Sequence, residues 1–248
     1  MAYTVKNMVV VSAASADEEA AAYADHPNDV VMVIRSDIMD AQTPTPPPTP
    51  TYETLTSYVE TDPGSMLTVS ANSVTATDLI RTVSAYVQKD FGIGHFAGDF
   101  QIDFECTVTG IGAAYAGFNA IALTNSASDY HAAYAAGAAE ICALIAATSA
   151  SSVSVYAHEL VGGAEYNSAA FTLALNTKYY MRLRRASSVG TSGTLYLDIY
   201  SDQARASLLS TLTLALHSAE SYRYLDAIQS NNSGNALAIS GTIGNIAL

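Results

Sequence analysis

Three acids at alternate or near-alternate positions, Asp99, Asp103 and Glu105, are the first residues whose types and spacing could do chemistry. Same-face neighbours on a strand lie roughly 6.6 to 6.8 Å apart at Cα, within reach of the paired carboxylates that cleave glycosidic bonds. Five histidines (His26, His95, His131, His158 and His217) could act as bases, but no G-x-S-x-G elbow accompanies them. The pair His158-Glu159 lacks the second His of a zinc helix and lies in a strand-like run. His95 sits in a loop with Gly92, Gly94 and Gly98, between Phe91 and Phe96. That loop suits a ligand, but it suits better a turn in which His95 bonds backbone and the Phe rings plug the core. Tyr180, Tyr196 and Tyr200 alternate outward beside Arg182, Arg184 and Asp198. Such a face can stack a pyranose ring and hold its hydroxyls. It serves equally as cross-strand pairs, worth roughly 0.2 to 1 kcal/mol each, or as a protein contact rich in Tyr and Arg; those structural uses take precedence. Loop acids Asp129, Asp202 and Asp226 could hold calcium, yet no D-x-D-x-D run concentrates ligands, so no cofactor is expected.

The elements that would position these groups are mostly strands. From 99 to 108, Phe100, Ile102, Phe104, Cys106 and Val108 alternate with Asp99, Gln101, Asp103, Glu105 and Thr107, the pattern of a half-buried antiparallel strand. Residues 179–185 and 194–200 repeat that alternation across the Ser- and Gly-rich segment 186–193, which predicts a hairpin. Leu208, Leu212, Leu214 and Leu216 continue it, with a bend at Leu208-Leu209. Further strands are expected at 117–124, 141–148, 153–159 and 236–248, about a dozen in all, in a two-sheet antiparallel sandwich. Five prolines within 44–50 make 43–51 a stiff polyproline linker that separates residues 1–42 from 52–248. Before it, an apolar run at 6–12, a helix capped by Ser15 and ending near Asp25, a turn at 26–29 and an apolar run at 30–34 predict a β-α-β unit. Alone this unit is too small for a robust core, so it reads as a docking or oligomerisation element, or else a plain appended minidomain.

Four stretches carry a family resemblance: YVQKDFGIGHFAGDF at 86–100, YYMRLRR at 179–185, LYLDIYSD at 195–202 and ISGTIGNIAL at 239–248. In this order they resemble the laminin-G-like branch of the concanavalin-A-like jelly rolls, over residues 52–248. With a small N-terminal segment and a linker in front, the arrangement resembles virion proteins of tailed bacteriophages. The resemblance implies a mainly β protein, an antiparallel two-sheet jelly-roll sandwich behind a β-α-β element. Laminarinase-type members carry a Glu-x-Asp-x-x-Glu variant on one strand. Here no Glu occupies the first acid position, and Cys106, Thr107 and Val108 replace the last. The expectation is therefore a non-enzymatic structural or decoration protein displayed on a virion surface, docked through residues 1–42 to other virion proteins or sister copies. The alternative is a carbohydrate-binding module or adhesin that meets host-surface glycans, and a glycan hydrolase comes third.

Composition narrows the partners. Ten Lys and Arg against 23 Asp and Glu, net −13, leave no clustered cations for phosphate, so neither nucleic acid nor anionic lipid is expected as a partner. Acidic residues 17–19 interrupt the N-terminal apolar run, so no signal peptide is expected. The longest small-apolar stretch, 132–147, is alanine-rich, broken by Gly137 and Glu140, and too short to cross a membrane. Cys106 and Cys142 could form one bridge, but they have no metal-ligand spacing and read better as buried free thiols.

Overall fold

A computed structural model describes residues 8–13, 16–25, 30–35 and 50–248 of the 248-residue chain. The chain divides into two compact units, Met1–Thr49 and Pro50–Leu248. In the first, β1 (Met8–Ala13) and β2 (Val30–Arg35) pair in parallel around helix α1 (Ala16–Asp25), as the β-α-β expectation requires. Asp17, Glu18 and Glu19 occupy the first helical turn, where the partial positive charge of the free N–H groups favours acids. Ala22 is buried, while Tyr23 and Met32 are exposed. The expected Ser15 cap, the 26–29 turn and most of the proline linker lie outside the described residues.

The second unit is an antiparallel two-sheet sandwich. One sheet has eight strands: β3 (Val59–Thr61), β6 (Tyr86–Asp90), β8 (Gly117–Thr124), β9 (Glu140–Ala147), β10 (Val153–Val161), β11 (Ala164–Asn167), β12 (Phe171–Leu173) and β16 (Tyr224–Ser230). Their order is β11-β10-β9-β8-β16-β6-β3, with β12 beside β10. The other sheet, in the order β15-β14-β13-β7-β17-β5-β4, has seven: β4 (Leu67–Val69), β5 (Ser73–Ile80), β7 (Phe100–Ile111), β13 (Lys178–Ala186), β14 (Thr194–Tyr200), β15 (Leu208–Ala215) and β17 (Ala238–Ala247). β7 obeys the expected alternation, with Ile102, Phe104, Cys106 and Val108 buried. The hairpin β13-β14 forms in the register Arg182 to Asp198. Between the sheets, Phe104, Phe118, Ile121, Leu123, Ile141 and Met181 are buried together. Each stabilises the fold by about 1.5 to 3 kcal/mol relative to exposure.

Two features depart from simple alternation, and both shape the site below. In the register of β8 against β9, Ala120 and Ile121 oppose Ala143 alone, and the bulge passes into β16 at Ala227 and Ile228. Ala120 and Ile121 both enter the core, and Asn119 and Ala122 both face outward. The alanine-rich run 132–147 divides between a short helix, α2 (Tyr130–Ala135), which was not expected from the sequence, and β9, which was. Asp129 caps α2, its Oδ1 accepting from the Ala132 amide at 2.9 Å. Gly117 permits the close approach of β8 to β9, since a Cβ there would lie 2.5 Å from the Ile145 carbonyl oxygen. Cys106 and Cys142 are both buried and free, on different sheets.

Candidate functional site

The eight-stranded sheet turns one face to the core and the other outward. In register across its outer face, Gln88, Asp226, Ala122, Cys142, His158 and Asn167 form one row. Tyr86, Gln229, Asn119, Leu144 and Tyr156 form the next. The 125–139 connection covers part of this face. Tyr130, Ala133 and Leu160 make a small apolar cluster there, separate from the main core. Asn232 Nδ2 also donates to Asp129 Oδ2 at 3.0 Å, which ties the connection to the 231–234 loop.

Beside the covered part lies a pocket of about 420 Å³. Its floor is Asn119, Leu144, Ala146 and Tyr156; one wall is Tyr130, His158, Glu165 and Asn167; the other includes Arg81, Tyr115 and Asn231. The half-buried Tyr156 ring and the Tyr115 ring, 72% exposed, supply aromatic surface, and three Asn side chains supply planar amides.

A chain of hydrogen bonds runs along the first wall. Tyr130 Oη lies 2.7 Å from Glu165 Oε1 and 2.9 Å from His158 Nε2, and His158 Nδ1 lies 2.8 Å from Asn167 Oδ1. Burial lowers the His158 pKa below its usual value, so the imidazole is neutral near pH 7. Burial and the bond to Glu165 push the Tyr130 hydroxyl far up, so it keeps its proton. Neutral His158 donates from Nδ1 to Asn167, because an amide oxygen can only accept. Tyr130 then has one proton for two acceptors, His158 Nε2 and Glu165. One further proton on His158 would match every contact: imidazolium to Tyr130, Tyr130 to Glu165. Burial opposes that proton near pH 7, so the wall rests with one donor fewer than its acceptors could take.

Beneath the connection lies a second polar group. Asn119 Nδ2 donates to Glu140 Oε1 at 2.8 Å and to Gln229 Oε1 at 2.7 Å, and Gln229 Nε2 donates to Glu140 Oε2 at 3.2 Å and to the Ser128 carbonyl at 3.1 Å. Glu140 is fully buried, and that burial raises its pKa to about 8. Burial, reinforced by Glu140, also raises Asp226 well above the carboxylate range. Neither Asp226 oxygen is hydrogen-bonded, and Gln88 is the amide opposite it in register. Both Nδ2 hydrogens of Asn119 are committed to these partners, which fixes that side chain in the pocket floor.

The residues nominated from sequence lie elsewhere. Tyr180, Arg182, Arg184, Tyr196, Asp198 and Tyr200 come together on the outer face of the seven-stranded sheet. There Arg182 grips Asp103 at 2.7 and 3.0 Å, Arg184 grips Asp198 at 2.8 and 3.5 Å, and the Arg184 guanidinium lies 4.0 Å from the Tyr196 ring centre. Asp198 also accepts from Thr211 Oγ1, and Glu105 is paired with Lys178 at 2.7 Å. This face is a ladder whose charged groups satisfy one another. His95 is exposed in its glycine loop, 4.9 Å from the Phe91 ring and 4.7 Å from Phe96, and does not line the pocket. Asp129 caps α2, and Asp202 accepts from the Ala206 and Ser207 amides. No cluster of three or more metal-capable side chains occurs among the described residues.

Sequence reasoning missed Tyr130, His158, Asn119, Asn167 and Arg81 as a set. One signal was there to be used: in β10, Tyr156 and His158 alternate with the buried Val155 and Ala157.

Geometry alone thus defines an antiparallel jelly-roll sandwich with a lined pocket on the outer face of one sheet. No protein-family model and no curated protein matches the chain. Solved structures with a similar fold include an endo-β-1,4-glucuronan lyase from the fungus Trichoderma reesei, at 7% identity over 79% of this chain and 89% of that one, with a TM-score of 0.44. The alginate lyase Aly36B is 12% identical over 76% and 84%, with a TM-score of 0.42. The CBM2 module of the evolved Dit protein of Lactobacillus casei BL23 phage J-1 is 11% identical over 77% and 82%, also with a TM-score of 0.42. These likenesses concern the fold. They correct the expectation of a non-enzymatic protein: that expectation took a missing laminarinase motif to exclude catalysis, and lyases are found among sandwiches of this kind.

Proposed function

We propose that the outer-face pocket is a saccharide site. The observation that carries this reading is the lining itself: three tyrosine rings, three asparagines, a histidine, a glutamate and an arginine around about 420 Å³. Pyranose rings present apolar C–H faces that stack on aromatic rings, and their hydroxyls need planar donors and acceptors held in fixed positions. Tyr156 and Tyr115 supply the first, and Asn119, Asn167 and Glu165 the second. Binding of polysaccharides to the full chain, followed by affinity electrophoresis or calorimetry, tests the reading. Saturable binding that disappears in Tyr156→Ala supports it, and a panel of neutral and acidic polysaccharides with no binder refutes it.

The proton-deficient wall favours a second reading, in which the bound sugar is also processed. In that reading Tyr130 exchanges a proton with the substrate, and His158 and Glu165 position its hydroxyl. Elimination suits this better than hydrolysis, because Glu165 is the one carboxylate in the lining and hydrolysis uses two. Appearance of unsaturated ends, lost in Tyr130→Phe while binding persists, would support it; intact polymer after prolonged incubation would remove it. Display of the site on a virion surface, a setting supported by the sequence resemblance alone, is part of the proposal and is tested by immunogold labelling of particles.

A further inference from the structure

We infer that the saccharide read by this pocket carries a carboxylate, and that Arg81 is the residue that selects it. This inference rests on the saccharide reading and adds the charge class of the ligand. Residues 50–248 contain eight Lys and Arg side chains. Six end on acids: Lys89 on Glu53, Lys178 on Glu105, Arg182 and Arg205 on Asp103, Arg184 on Asp198, and Arg223 on Asp90. Arg185 is spent on the backbone carbonyls of Phe96, Gly98 and Glu220. Arg81 remains. It lines the pocket and has no acidic partner among the described residues.

Its seat is built rather than loose. Nη1 donates to the Tyr115 carbonyl at 3.2 Å, and the guanidinium packs against Gly234. Gly234 has φ +81°, and a Cβ there would approach the guanidinium carbon to 3.4 Å, so glycine both allows that backbone shape and leaves room for the stack. With Nη1 committed, the Nε–Nη2 edge of Arg81 has no hydrogen-bond partner among the described residues.

The same protein shows what that edge does. Arg182, Arg184 and Arg223 each hold an aspartate through Nε and Nη2 together, with distances between 2.6 and 3.5 Å. Two parallel N–H donors match the two oxygens of a planar carboxylate. Arg81, in the pocket lining, thus keeps open the edge that elsewhere in the fold is filled by a side-chain carboxylate. Across the pocket, Glu165 and Asn167 accept and donate to hydroxyls, so one end of the site is cationic and the other is not.

The experiment compares three polymers on the full chain: a polyuronate, the same polymer with its carboxyls reduced to alcohols, and a sulfated neutral glucan. Wild type is expected to prefer the polyuronate over its reduced form by about tenfold or more, the scale of one charge-assisted bidentate pair in a partly dry site. Arg81→Gln should abolish that preference, lowering affinity for the polyuronate by about tenfold more than any change in affinity for the reduced polymer. Arg81→Lys, which keeps the charge and loses the fork, should restore it only in part. An undiminished preference in Arg81→Gln overturns the inference. Equal binding of the sulfated glucan overturns the commitment to a planar carboxylate. Equal wild-type affinity for the reduced polymer and the polyuronate sinks the inference and leaves the saccharide reading standing, whereas absence of binding to all three sinks both.

Discussion

Glu140→Gln should remove a pH-dependent loss of stability and so reverse, between acid and alkaline pH, which protein is the more stable. The wild-type carboxyl is fully buried, and its pKa rises from 4.5 to about 8, chiefly through burial. A carboxyl whose folded pKa is raised is protonated in the folded state while the unfolded chain has already ionised. Folding therefore loses stability as pH climbs from about 4.5 to about 8, by about 1.4 kcal/mol per unit, or about 5 kcal/mol in total. The substituted amide cannot ionise, but its new NH₂ meets a donor, either Asn119 Nδ2 or Gln229 Nε2, where the native oxygens accept from both. That mismatch costs about 1 to 3 kcal/mol at any pH. Below about pH 4.5 the wild type is the more stable by that amount; above about pH 8 the variant leads by roughly 2 to 4 kcal/mol. Asp226 titrates in both proteins, and the variant also removes the part of its upward shift that Glu140 supplies, so the difference reads Glu140 together with its coupling to Asp226. Urea unfolding followed by tyrosine fluorescence, at about pH 5, 7 and 9, reads it directly in a chain without Trp. A stability gap that does not change with pH refutes the reasoning.

Other expectations follow from single contacts. Glu159, fully buried on β10, accepts from the His217 amide at 2.8 Å, His217 Nδ1 at 2.9 Å and the Ser218 amide at 3.1 Å; Glu159→Gln should cost about 2 to 3 kcal/mol in denaturant, and an unchanged midpoint would show that these contacts do not hold the segment. Gly117→Ala must push β8 from β9, because its Cβ would meet the Ile145 oxygen at 2.5 Å. The expected loss is about 1 to 3 kcal/mol, read as a lower melting temperature. Both thiols should resist an exposed-thiol reagent in the native protein, since burial pushes Cys106 up to about 12 and Cys142 well above its usual value; rapid native labelling would contradict that.

In the seven-stranded sheet β7, β13 and β14 were legible because they keep period-two alternation, whereas β4 and β5 were not expected. In β7, β13 and β14 every expected inward residue but the half-buried Phe100 is buried, and even the Arg182 and Asp198 neighbours follow from the hairpin. In the eight-stranded sheet the central strands β8, β9 and β10 were legible, while β3, β11, β12, β16 and the outer face were not. Gly117–Thr124 is buried at every position, so no alternation shows which side each residue takes, and the bulge at Ala120-Ile121 reverses the parity after it. The 132–147 run hid α2 for a related reason: alanines mark neither a helical stripe nor a strand face, and the helix is defined instead by Asp129 and by Tyr130 packing on Leu160. Arg81, Tyr130 and Asn119 are distant in sequence and meet only through sheet order. The outward Tyr–Arg face was visible for the opposite reason, since local alternation exposes it, but its charges are consumed by their own neighbours.

The central claim is where a sugar binds. Titration of an acidic oligosaccharide into isotope-labelled protein, followed by amide chemical shifts, locates it without assuming activity. The account predicts saturable shifts at Asn119, Tyr156, His158 and Asn167 on the eight-stranded sheet. Shifts confined instead to Tyr180, Arg182, Tyr196 and Tyr200, on the other sheet, would contradict it.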